Sequence, residues 1–164
     1  MLHELANWLA TTRVSTIIVD SGWIWPLAEI LHFVGLTVLL GVAGAFDLRL
    51  LGFFKGLRID ALHRLLPWAG LGFALNVATG LTFLVGTPLQ YVDNPAFRYK
   101  MLFVAIAGLN ALVFEFGFGK RTLAVDADGT APFAARAIAA TSLVSWLLVL
   151  YCGRILAFVE GGAF

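Results

Sequence analysis

Apolar residues in this chain gather in four long stretches, at about 23–46, 67–85, 97–118 and 133–159, separated by shorter segments richer in charge. A helix rising about 1.5 Å per residue needs about 20 residues to cross a hydrocarbon core of about 30 Å. Each stretch is long enough and predicts a transmembrane helix. The connections then fall at 47–66, 86–96 and 119–132. Pro26, Pro67, Pro95 and Pro132 lie near span starts, where a missing N–H costs little. Asn94-Pro95 reads as an N-cap followed by a first helical turn. Ahead of the first span, Leu2, Leu5, Ala6 and Leu9 share one helical face, with His3, Glu4 and Asn7 elsewhere. That pattern predicts a short interfacial helix within residues 1–21. No basic segment leads into an apolar run there, so no cleaved signal peptide is expected. The expected fold is all-α: a single transmembrane domain over residues 1–164, built as a four-helix up-down bundle with a short N-terminal interfacial helix.

Composition sharpens this picture. The chain is 60% hydrophobic and 13% charged, with a mean hydropathy of +0.91; average soluble domains are about a quarter charged. Disorder is excluded, one Cys cannot build a disulfide scaffold, and a net charge of +1 offers no basic field for nucleic acid. The expected partner is the lipid bilayer. Arg49, Lys55, Arg58, Arg64, Lys120, Arg121 and Arg136 flank the first and third connections, against Arg13, Arg98, Lys100 and Arg154 toward the other side. This seven-to-four excess places those two connections in the cytoplasm and both termini outside. Small residues recur along the spans, among them Gly35, Gly41, Gly44, Gly70, Gly72, Gly80 and Gly108, as tightly packed membrane helices require.

Ionisable groups inside a span are costly and mark interior faces or function. Glu29 lies three residues before His32, hence on one face. Asp47 is eighteen residues beyond Glu29, and Arg136 and Arg154 in the fourth span are also eighteen apart. With 3.6 residues per turn, eighteen residues return to the same face. On antiparallel neighbours this spacing predicts ion pairs Glu29–Arg154 and Asp47–Arg136. Lys100 sits at a depth similar to Glu29 and Arg154, so the outer half would hold Glu29, His32, Lys100 and Arg154. Asn76, Thr79 and Asn110 are mid-depth groups suited to bonding across helices or to a ligand, and Glu115 has Lys120 and Arg121 within reach in sequence.

Of three histidines only His32 lies within a span; His3 belongs to the N-terminal segment and His63 to the far side of the membrane. Two histidines on one haem iron must approach within about 4 Å along the iron axis. His32 and His63 differ by a leaflet in depth and cannot share one iron. A five-coordinate porphyrin on His32, or one completed by another subunit, is compatible with the sequence. Its propionates need basic partners near a polar surface, a role open to Lys100 and Arg154. No HExxH, CxxC, GxSxG or phosphate-binding glycine loop is present, and Cys152 reads as a packing residue.

The segments 23–52 (WIWPLAEILHFVGLTVLLGVAGAFDLRLLG), 78–84 (ATGLTFL) and 94–114 (NPAFRYKMLFVAIAGLNALVF) resemble a bacterial family of four-span inner-membrane proteins of unknown function. The matching positions are Glu29, His32, Gly35, Asp47-Leu48-Arg49, Gly80, Asn94, Phe97, Lys100 and Asn110. At longer range, a span-one His with a Lys opening span three is similar to flavin-free membrane protoporphyrinogen oxidases, and to copper-resistance D-type and b-type cytochrome membrane domains. In the oxidases those two positions, here His32 and Lys100, are associated with haem binding and activity. The resemblance implies a bacterial inner-membrane location, in which the outside termini expected from the charge count are periplasmic.

The expected site is therefore Glu29 and Lys100 as catalytic candidates, His32, Lys100 and Arg154 as cofactor-binding residues, and His32 as metal ligand, with haem b or a porphyrin as cofactor. The expected function is redox, electron-transfer or tetrapyrrole chemistry. The alternatives are an accessory or assembly subunit, bound to other membrane subunits or to its own copies, and a small proton-coupled transporter using Glu29 and His32.

Overall fold

The structure, a computed structural model, describes residues 1–125 and 129–159. Its elements are α1 (Leu2–Ala10), α2 (Arg13–Asp20), α3 (Ile24–Leu51), α4 (Ile59–His63), α5 (Leu66–Gly86), α6 (Pro88–Val92), α7 (Pro95–Val113), a π-helical turn (Phe114–Phe118), α8 (Gly119–Leu123) and α9 (Phe133–Ile155). All regular structure among the described residues is helical. Four helical segments, including α3, α5, α7 and α9, are long and apolar enough to cross a membrane. Apolar side chains such as Phe33, Leu71, Leu109 and Leu147 face outward, the distribution expected of helices solvated by lipid.

Helix ends follow local chemistry. α3 continues past Asp47, where the apolar pattern alone would end it, and stops at Gly52. There a φ of 103° permits the left-handed cap, with Phe53 N–H donating to Leu48 O at 3.0 Å and Gly52 N–H to Arg49 O at 3.1 Å. α7 opens as its sequence predicts: Asn94 Oδ1 accepts from Ala96 N–H at 2.9 Å, and Pro95 occupies the first turn. The N-terminal segment forms two helices rather than one, because Thr12 caps a new start, its Oγ1 accepting from Ser15 N–H at 3.3 Å.

α3 packs most extensively on α5, α7 on α9, and α3 also touches α9. At the α3–α5 crossing the two backbones meet. A Cβ placed on Gly72 would lie 2.6 Å from Gly35 O, and one on Gly35 would lie 2.8 Å from Gly72 O. Asn110 Nδ2 ties α7 to α9 by donating to Ile138 O at 2.9 Å. One end of the molecule holds an apolar cluster of Phe46, Leu50, Ile59, Phe114, Ala131, Ala135 and Ala139. At the other end Ser15 Oγ donates to Gly86 O at 3.2 Å. There too Asn94, fully buried, donates to Leu156 O at 3.0 Å and Val159 O at 2.7 Å.

Candidate functional site

His32 projects from α3 toward α5, and its Nδ1 lies 2.7 Å from Thr79 Oγ1. The direction of that bond follows from the hydroxyl's other contacts. Thr79 has one proton to donate, and its Oγ1 is 2.8 Å from Leu75 O and 3.2 Å from Asn76 O, which can only accept. With the hydroxyl proton given to Leu75 O, the nearer carbonyl, the oxygen accepts from His32 Nδ1–H. A neutral imidazole protonated at Nδ1 carries its lone pair on Nε2, and Nε2 has no hydrogen-bond partner among the described residues. Phe83 packs against the ring at 5.6 Å, with Trp25 behind it at 5.1 Å.

Lys100 is half-buried on α7, on the same side as the buried Ala96 and Ala107. Its ammonium lies over α9 at Gly153, where an added Cβ would be 3.7 Å from Nζ. Among the described residues it has no hydrogen-bond or ion-pair partner. Arg154, next to Gly153, is exposed and holds its guanidinium 4.9 Å from the centre of the Phe158 ring. Glu29 is also exposed and accepts from Trp25 Nε1–H at 3.2 Å, so Thr79 rather than Glu29 orients His32. Burial, and behind it the negative charge of Glu29, raises the phenol pKa of Tyr91 in α6 above its ordinary value.

The two ion pairs expected from spacing do not form. Glu29 and Arg154 face outward to other partners; Asp47 is buried, whereas Arg136 is exposed. The reason lies in α9, whose buried positions are Ala135, Ala139, Ser145, Val149 and Cys152. Arg136 and Arg154 share a face with each other, but that face is not the one turned toward α3. Asp47 instead lies beside Ser142, and its Oδ2 has no hydrogen-bond partner among the described residues.

The far end shows interactions that the sequence did not single out. Arg49, a topology charge and part of the Asp47-Leu48-Arg49 string in the sequence, is completely buried; its Nε donates to Leu57 O at 2.6 Å and one terminal nitrogen to Gly129 O at 3.4 Å. Glu115 pairs with His63, Oε2 to Nε2 at 3.0 Å, where Lys120 or Arg121 had been expected; those two side chains lie outside the described residues. His63 packs on Phe46 at 5.9 Å. Phe46 is fourteen residues along α3 from His32, about 21 Å of helix, so the two histidines cannot ligate one iron. No cluster of three or more His, Cys, Asp and Glu side chains suited to a metal ion occurs among the described residues. Comparisons of the chain with family models, with curated proteins and with solved structures find no match.

Proposed function

We propose that this chain is an inner-membrane protein that binds a haem or porphyrin through His32, in a bundle whose termini both face the periplasm. The carrying observation is the preset imidazole: Thr79 fixes the proton on Nδ1 and leaves Nε2 as a lone-pair donor. A neutral imidazole held through its other nitrogen is the form in which histidine ligates iron. The half-buried Lys100 ammonium, without a partner among the described residues, supplies a cation for a propionate carboxylate, and Arg154 lies on the next residue after Gly153, over which Lys100 rests. Such a group, when bound, would supply one-electron or tetrapyrrole redox chemistry. The chain's own part is to orient the ligand nitrogen, hold a counter-charge and keep water from one side of the ring with Phe83 and Trp25.

The absorption spectrum of protein purified in detergent after haem-replete expression tests this reading. A Soret band that is lost in His32→Ala and kept in His63→Ala supports it; a colourless protein, or a band indifferent to His32, overturns it.

A further inference from the structure

The connection leaving α3 is built unlike the others. Gly52 and Gly56 take φ of 103° and 97°, and between them Phe54 takes φ of 53°, the one non-glycine residue among those described with positive φ. Bulky side chains seldom adopt that conformation. Here it is held from two sides. Leu57 N–H donates to Phe54 O at 3.1 Å, closing the turn, and the wholly buried Arg49 reaches Leu57 O from beneath at 2.6 Å. The result is a loop tied to the core through its backbone while its largest apolar side chains point away. Phe53 is 59% exposed, Phe54 57% and Leu57 51%. Lys55 lies between them, and Arg58 and Arg64, which both bond the Asp60 carboxylate, flank them. The patch is therefore apolar at its tip, with basic side chains beside it.

Its level relative to the bilayer follows from the helix beneath it. α3 has 28 residues, about 42 Å, against a hydrocarbon core of about 30 Å. A loop at its end falls in the headgroup region, where aromatic rings and basic side chains are favoured together.

We propose that residues 52–58 form a preset anchor for the anionic headgroup layer, with Phe53, Phe54 and Leu57 entering the acyl boundary and Lys55 meeting lipid phosphates. This rests on membrane insertion of the four spans and is independent of any cofactor on His32. The test is a nitroxide at residue 53 or 54, in a Cys152→Ala background, in nanodiscs of mixed neutral and anionic lipid. The label should be more accessible to oxygen than to a water-soluble nickel chelate, approaching the values of a label at lipid-facing Leu109. A label with aqueous values overturns the proposal, and so does one shielded from both reagents, as under a second copy of the chain. Should the cysteine background fail to fold, quenching of Phe54→Trp by brominated lipid, measured against the unsubstituted protein, replaces it with the same two outcomes. The charge component is read separately: Lys55→Gln should lower the enrichment of a headgroup-labelled anionic lipid about fivefold at low ionic strength, with the difference lost at 1 M salt, where screening acts within about 3 Å. Unchanged enrichment would remove the anionic preference.

Discussion

Replacing Gly72 by Ala tests the contact on which the arrangement of α3 and α5 depends. The new methyl would sit 2.6 Å from Gly35 O and 2.9 Å from Leu39 N, about 0.8 Å short of the 3.4 Å at which contact becomes ordinary. Both obstacles are backbone atoms, so no side chain can turn aside and the helices must separate. Overpacking of this kind costs about 1–3 kcal/mol. Separation would also stretch the 2.7 Å bond from His32 to Thr79, which lies two turns along α5 from Gly72; a lost hydrogen bond costs about 1 kcal/mol. Better helix propensity returns about 1 kcal/mol. The net is a destabilisation of about 1–3 kcal/mol, or roughly 2–12 °C in midpoint for a chain of this size. Gly70→Ala is the matched control, because nothing lies within 4 Å of a Cβ there; it should be neutral or stabilising by up to about 1 kcal/mol. Thermal and SDS-induced unfolding in detergent, followed by far-ultraviolet dichroism, would rank the two. Equal midpoints for the variants would refute the close backbone approach.

Further outcomes can be checked on the same material. Thr79→Val removes the acceptor for His32 Nδ1–H and, in pigment-free protein, should shift the imidazole ¹⁵N resonances toward a mixed tautomer; an unchanged spectrum would show that Thr79 does not set the proton. Asn94→Ala loses a cap and leaves two carbonyls without their donor, which should cost about 2–4 kcal/mol and speed proteolysis after residue 155. Glu29→Gln and Arg154→Met should add within about 0.5 kcal/mol, as for sites not in contact, whereas a coupling above about 1 kcal/mol would restore the ion pair. A reporter fused after Phe164 should be active only in a form that folds in the periplasm.

The sequence carried the architecture because a membrane span is a length criterion: four apolar stretches of sufficient length became four long helices. Capping chemistry was equally local, and Asn94 and Pro95 behaved as their types require. Small residues were less informative. Gly35 and Gly72 meet across the interface, whereas Gly41, Gly70, Gly80 and Gly108 have nothing within 4 Å of a Cβ. Composition indicates that close approach is possible; only the rotation of each helix decides which glycine is used. The charges failed for the same reason. Eighteen-residue spacing places Arg136 and Arg154 on one face, but the face turned inward is set by Ala135, Ala139 and Ser145, whose small side chains let α9 approach its neighbours. Periodicity fixes relative angles on one helix and leaves the absolute rotation to packing.

That distinction explains why the candidate site centres on His32 and Thr79 rather than on the charges. Gly35, His32 and Leu39 lie along one side of α3, and Gly72, Asn76 and Thr79 along the facing side of α5. The glycines bring the backbones together, and at that separation a Thr hydroxyl already bonded to its own helix reaches the imidazole of the next. The proton on Nδ1 is thus placed by helix packing, not by a flexible acid. A carboxylate such as Glu29 would have drawn the ring toward its charged form and could swing away; Thr79, its own proton committed to Leu75 O, can do neither. Any process that parts α3 from α5 should therefore release the tautomer and loosen the fold together, so the stability of this interface and the readiness of Nε2 should change in step across Gly35, Gly72 and Thr79 variants.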